Sequence, residues 1–265
     1  MKTRWPLKMS DVYSMEGVVI KSFKVRQRAV IFLLATFVFN HSLFANSLPE
    51  YLSPKSSCDQ LIEHPYYRLC YASNHRLSLW TLHYLDSSFI EGSTSRTDDY
   101  RLDPLVLKGV EERDYKGSGF DRGHLVPAAD MRLNYKAMSE SFYMSNMTPQ
   151  RPGFNRGIWQ SLERLVRRLV LQRGPAFIIT APILNNGLTR LKKNISIPQE
   201  FYKIVYWPKK REAIAFLIPN ESQSGQSPRD FQVSVDQIEN LTSLDFFWHL
   251  EDGEEDILEA QILTF

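Results

Sequence analysis

The chain has only two cysteines, Cys58 and Cys70, in 265 residues, and two thiols cannot by themselves build a structural zinc site. It has no G-x-G-x-x-G after a strand-like run and no G-x-x-x-x-G-K-[ST]. Gly117-Ser118-Gly119 is only a weak turn signal, so the dinucleotide-binding and P-loop classes fall away. No internal repeat or low-complexity tract is visible, and no Pro/Gly/Ser linker divides the chain after residue 45. Excess charge of one sign is missing too. Against 32 Lys and Arg stand 30 Asp and Glu, a formal charge of +2, so global charge identifies no partner.

What is present is ordinary globular composition, 43% apolar and 23% charged, which argues against a mainly disordered, collagenous or polytopic membrane protein. The apolar run at 29–39 (AVIFLLATFVF) is eleven residues long, too short to span a bilayer. Lys24, Arg26 and Arg28 precede it and the small Ala45 follows. That layout predicts a secretory signal over 1–45, cleaved after Ala45, and a periplasmic or secreted protein. Seven of the 32 basic and two of the 30 acidic residues lie there, leaving 25 and 28, a formal charge of −3. A polyanionic partner would therefore have to meet a local basic patch. Beyond the signal the reading is a mature N-terminal segment at 46–64, mobile over its Ser- and Pro-rich 46–60, and a single domain at 65–265. Cys58 and Cys70 lie twelve positions apart, a spacing that suits a disulfide in an exported protein and a pair of free thiols equally.

Aromatic and apolar runs predict strands at 66–72, 77–85, 142–147, 176–184, 201–207 and 213–218, with a short extended element near Leu125. A small helix or turn is expected at 135–141 and a short helix at 233–241. The charged, turn-rich stretch 91–119 is a long surface excursion, uncommon unless it carries function. The clearest helix spans 155–171, where Ile158, Leu162, Leu165, Val166 and Leu169 form one apolar stripe and Arg173-Gly174-Pro175 supplies the stop. The acidic stretch 251–256 reads as a solvated face. Strands on both sides of one prominent helix, without regular alternation, predict an α+β fold.

Two segments carry chemistry. In 117–130 (GSGFDRGHLVPAAD), Asp121, Arg122 and His124 lie within four positions. Arg offers a planar fork for phosphate oxygens, and His, ordinarily titrating near pH ~6.5, can take a proton from water. The bland alternative is a satisfied histidine beside a surface Arg–Asp pair. In the second segment, 142–163, Asn155 opens the predicted helix; at about 100° per residue Glu163 falls roughly 80° round and Arg167 about 40° further. An amide oxygen, a carboxylate and a guanidinium ordered this way suit a hydrated Mg²⁺, which needs only one or two protein oxygens. The alternative makes Asn155 a cap and Glu163–Arg167 an exposed pair. Arg151, Arg156, Arg164 and Arg168 cluster near this helix, as a basic patch or merely a solvated face.

Asp121-Arg122-Gly123-His124, then Ser145-Asn146-Met147-Thr148-Pro149-Gln150, then Asn155-x-Gly157-x-Trp159-x-x-x-Glu163 resembles the DNA/RNA non-specific endonucleases, the family of the Serratia-type secreted nucleases and mitochondrial endonuclease G. The likeness extends over roughly 65–250. It implies a ββα-metal (His-Me finger) nuclease fold, a central antiparallel sheet flanked by helices. It also implies a Mg²⁺-dependent endonuclease (Mn²⁺ as an alternative) acting on DNA and RNA to give 5′-phosphates, and compatible with a homodimer. In that family His124 would be the general base, Asn155 the direct metal ligand and Glu163 the residue orienting a metal-bound water. Arg122 and Arg167 would contact phosphate or stabilise developing charge, Asn146 would be a polar catalytic-site residue, and Asp121 a supporting organiser. A further phosphate-binding Arg is expected ahead of Asp103-Pro104, with Arg96 preferred over Arg101. His64, His75, His83 and His249 have no partner pattern and read as structural or exposed. Two other readings stand beside this one: a ββα-metal phosphodiesterase acting on another substrate, and an inactive nucleic-acid-binding homologue.

Overall fold

The computed structural model describes residues 48–265; the predicted signal at 1–45 and its expected cleavage after Ala45 lie outside the described residues. The strands are β1 (Gln60–Glu63), β2 (Tyr67–Ala72), β3 (Leu77–Leu85), β4 (Asp121–His124), β5 (Met147–Gln150), β6 (Ala176–Pro182), β7 (Glu200–Trp207), β8 (Glu212–Pro219) and β9 (Gln232–Val233). Seven of them form one sheet in the order β1-β2-β3-β6-β7-β8-β9, every pairing antiparallel, and β4 pairs with β5 in a separate ribbon. The helices are α1 (Ser87–Ile90), α2 (Tyr135–Glu140), α3 (Gln160–Arg173), α4 (Val235–Thr242) and α5 (Asp252–Ala260). This is the α+β architecture the sequence predicts.

Alternation along the strands sorts the core into two layers. On one face Trp80, Leu82, Ile179, Ala181, Tyr202 and Ile204 pack with Val235 and Ile238 of α4 and Leu258 of α5. On the other, Ile178, Phe201, Val205, Ile214 and Phe216 pack against Ile158, Trp159, Leu162, Val166 and Leu169. Both faces being covered, the central strands read as near-continuous apolar runs rather than as alternating ones.

Two predicted elements are corrected and one strand is added. The added strand is β1, at the end of the 46–64 segment, which pairs with β2; Cys58 and Cys70, for which the spacing left disulfide and free thiols open, are joined as a disulfide, Cα atoms 5.3 Å apart. The strand predicted at 142–147 is a succession of tight turns, with Phe142, Tyr143 and Asn146 N–H groups donating to Ser139, Glu140 and Tyr143 carbonyls at 2.9–3.1 Å. The strand starts only at Met147. Phe142 and Met144 are buried, so their apolar character reports burial and not extension. The helix predicted at 155–171 runs over 152–173. It opens on Pro152, whose missing N–H costs nothing in a first turn, and contains a π-helical turn at Phe154–Trp159 with Gly157 at φ −104°, ψ −106°. Asn155 is therefore not its cap, and the ideal 100° count does not hold between Asn155 and Glu163.

Candidate active site

The β4–β5 ribbon followed by the 152–173 helix positions the site. In the ribbon Asp121 faces Gln150, Arg122 faces Pro149, Gly123 faces Thr148 and His124 faces Met147. Gly123 is required by close approach: a Cβ there would lie 2.1 Å from the Gln150 side chain. Beyond His124 the chain is pinned by Asn146. Its Oδ1 accepts from Val126 N–H at 2.9 Å, and its Nδ2 donates to the Val126 and Ser141 carbonyls at 2.9 and 2.8 Å. Asn146 is fully buried and does not line the cleft. The structure places Asn146 behind the cleft, not on its lining: backbone groups take up its amide, and it fixes the turn that carries His124.

A cleft of about 650 Å³ brings together Arg96, Arg122, His124, Asn155, Glu163 and Arg167, with Asp121 and Arg156 on its wall. Arg101 is elsewhere, bonded to Asp99 at 2.7 Å and the Ser139 carbonyl at 2.8 Å, and stacked on Tyr143. Arg96 reaches the cleft over the Phe142 ring and bonds Asp98 at 2.6 Å. Arg122 lies over the Tyr100 ring, 4.2 Å from its centroid, and pairs with Glu112.

The Asn155 amide has a defined orientation. Its Nδ2 donates to Asp121 Oδ2 at 2.9 Å, and only the NH₂ end can donate to a carboxylate. The amide oxygen is thereby left for another partner. Asp121 also accepts two bonds from Arg156, at 2.9 and 2.6 Å. Burial pushes the Asp121 carboxyl up, but the hydrogen bonds from Arg156 and Asn155, with the charges of Arg156 and Arg122, hold it below the usual carboxylate range. Arg156 is thus committed to an ion pair, which subtracts it from the basic patch.

His124 packs edge-on against Phe142, ring centroids 4.9 Å apart, and against Tyr100 at 6.0 Å; its Nε2 is buried without a hydrogen-bond partner among the described residues. Burial first, then the charges of Arg96 and Arg122, push its pKa down to about 3. It is a neutral imidazole throughout the physiological range. Glu163 and Arg167 do not form the exposed pair of the alternative reading. Arg167 donates to Asp130 at 2.7 Å, and Asp130 in turn meets His83 at 3.2 Å. Glu163 is half-buried, and burial raises its pKa against the opposing pull of Lys203.

Sequence reasoning missed Tyr100, Asp130 and Lys203, took Arg156 only for part of a basic patch, and read His83, which is buried on Asp130, as structural or exposed. Of the missed three, Lys203 left a signal, a lone charge inside the apolar strand FYKIVYW. The other histidines are occupied: His64 bonds Asp103 at 2.9 Å and His75 bonds Ser196 at 2.9 Å, while His249 packs against Tyr51.

A single oriented amide oxygen, a nearby carboxylate and a polar cleft match the donor set of a hard cation that keeps most of its water. Residues 45–253 match the family described as DNA/RNA non-specific endonuclease. The chain belongs to that family. Its β4–β5–helix unit is the ββα element of the ββα-metal nuclease fold. This family member is 32% identical over 211 residues to a nuclease of Nostoc sp. (strain PCC 7120), covering 74% of this chain and 76% of that one. It is 30% identical to nuclease C1 of Cunninghamella echinulata, covering 78% and 90% of the two chains. To mitochondrial endonuclease G of Homo sapiens it is 31% identical, covering 71% and 69%. A chain in a crystal structure of the EndoG/EndoGI complex superposes with a TM-score of 0.67 at 26% identity, covering 75% of this chain and 89% of that one.

Proposed function

We propose that this protein is an exported, divalent-metal-dependent endonuclease that hydrolyses phosphodiester bonds of both DNA and RNA and leaves 5′-phosphates. The observation that carries the reading is the convergence of His124, Asn155 and Glu163 on one cleft with the guanidinium groups of Arg96, Arg122 and Arg167. Asn155 would hold Mg²⁺, or Mn²⁺ in its place, through the oxygen that its bond to Asp121 leaves free, with Glu163 orienting a water of the hydrated ion. When bound, the cation supplies electrostatic stabilisation at the nonbridging and leaving oxygens.

The chain's own groups do the rest. His124, neutral because it is buried beside two arginines, accepts a proton from the water that attacks phosphorus. Arg96, Arg122 and Arg167 grip phosphate oxygens and meet the charge that gathers on them in the transition state. Contacts confined to phosphate and sugar carry no base information, so weak sequence preference follows from placing the chemistry on the backbone. Export is supported by the 29–39 apolar run with its basic flank and by the Cys58–Cys70 disulfide, a bond suited to oxidising compartments.

The test incubates purified protein with plasmid DNA, single-stranded DNA and RNA, in Mg²⁺ or EDTA, beside His124→Ala. Metal-dependent degradation of all three substrates with 5′-phosphate ends, lost in His124→Ala, is expected. Binding without cleavage by the unmutated protein would refute the enzymatic reading.

A further inference from the structure

Beneath the active-site helix the apolar face of the sheet is interrupted by a polar row. Alternation places Thr81 and His83 of β3, Thr180 of β6 and Lys203 of β7 on the face that also carries Ile178, Phe201 and Val205 and is covered by α3. Thr81 pairs with Thr180, and Thr180 with Lys203, in direct register. Lys203 is 1% exposed. Its Nζ donates to Thr180 Oγ1 at 2.5 Å and lies 5.1 Å from the Trp159 ring centroid. An isolated ammonium in such a place is expensive, and buried charges persist where they are paired or functional.

The partner is identified by elimination. An ammonium has three protons to donate, and Thr180 accepts one of them. The carboxylates that influence Lys203 are Glu163 first and Asp130 second. Asp130 is already engaged by Arg167 and His83, whereas the Glu163 carboxylate receives no hydrogen bond from the described residues. Trp159 and Glu163 are four residues apart, one turn along the same helix, so the ammonium under the Trp159 ring lies near Glu163, although no direct salt bridge joins the two among the described residues. Arg96 and Arg167 of the cleft, and Asp130, act on Glu163 as well, but less strongly than Lys203.

We propose that Lys203 is a positioning residue: its buried ammonium, fixed by Thr180 beneath the active-site helix, holds the Glu163 carboxylate ionised. The proposal rests on the nuclease reading above, in which Glu163 organises water at the reaction centre. Lys203 touches no substrate and acts through Glu163 alone. A cation placed on the far side of a carboxylate from the cleft keeps that acid charged without competing for the incoming phosphate, which a surface Lys could not do.

The experiment is a double-mutant cycle with Lys203→Met, Glu163→Gln and the double variant. It reads kcat, KM for plasmid DNA, the pH profile of kcat, and Tm in the absence of metal. Lys203→Met is expected to lower kcat at least tenfold with KM within threefold, to move the acidic limb of the profile upward by about one pH unit, and to keep a Tm close to the parent's, since a buried ion replaced by an apolar isostere is often neutral in stability. In the Glu163→Gln background it should cost nothing further, because the group it serves is already gone. Lys203→Arg, retaining charge in an imperfect shape, should recover part of the loss. Additive losses in the double variant, or a fallen Tm with kcat per folded molecule unchanged, would overturn the proposal. Should Lys203→Met fail to fold, Lys203→Gln carries the same expectations. An inactive parent, or a fully active Glu163→Gln, sinks the reading of the site itself and this inference with it. Intact parent activity with a Glu163→Gln defect and an indifferent Lys203→Met sinks only the inference.

Discussion

Asp121 offers the sharpest test of the proposed cation position. Its carboxylate fixes the Asn155 amide through one hydrogen bond at 2.9 Å and holds Arg156 through two more. In Asp121→Ala the amide torsion becomes nearly two-fold, so the nitrogen faces the cleft about as often as the oxygen, which alone costs about a factor of two, or ~0.4 kcal/mol. The larger loss is electrostatic. A carboxylate behind a metal-ligating group polarises it, and removal of such a partner typically weakens metal binding about 10–100-fold, ~1.4–2.7 kcal/mol. Arg156, released from its ion pair, adds an uncompensated positive charge nearby. The assay is cleavage rate against Mg²⁺ concentration at saturating DNA. The half-saturating Mg²⁺ concentration should rise about 10–100-fold in Asp121→Ala, with much of the maximal rate regained at high metal. Arg156→Ala, which leaves the Asp121–Asn155 bond in place, should shift it less than about threefold, a screened surface interaction being worth little. An Asp121→Ala midpoint within twofold of the parent, or an equal shift in Arg156→Ala, would refute the idea that Asp121 orients the ligand amide.

Two further outcomes follow from packing and charge. Gly123→Ala forces a methyl group to within 2.1 Å of the Gln150 side chain; overpacking of this kind costs about 1–3 kcal/mol and should lower Tm by roughly 3–10 °C in a thermal melt, and an unchanged Tm would mean that the ribbon opens freely. Glu259 packs near Asp236 and Glu239 between α4 and α5, and burial, then Glu239 and Glu255, push its pKa from 4.5 up to about 8. A carboxyl raised in the folded state favours folding below its unfolded value, and that stability is lost as pH climbs from about 4.5 to about 8. Glu259→Gln should therefore raise Tm relative to the parent at pH 8 and change it little at pH 5; equal differences at the two pH values would contradict the assignment.

The residues that touch the cleft were largely legible in the sequence because their signals are local. Asp121, Arg122 and His124 sit on one four-residue strand, and Asn155, Glu163 and Arg167 on one helix, so short-range spacing brings each group together. The apolar runs of most strands and the Gly174 stop were legible for the same reason. Errors arose where burial and backbone pairing separate. Phe142 and Met144 are buried in turns, and Gln60–Glu63 became a strand through pairing with Tyr67–Ala72. The π turn at Phe154–Trp159 broke an angular count that assumes a regular helix.

Composition and order along the chain determined the family motifs, the central helix and the side chains that the proposed chemistry uses. Tertiary structure alone decided what stands behind that chemistry. It paired Arg156 with Asp121, Arg167 with Asp130 and His83 with Asp130, and set Lys203 under Trp159, across separations of 35, 37, 47 and 44 residues. A linear pattern records neighbours along the backbone, whereas a charge buried in a sheet is neutralised by whatever the fold lays across it. The cleft-lining groups could therefore be read from sequence, and their supports only from the packed molecule.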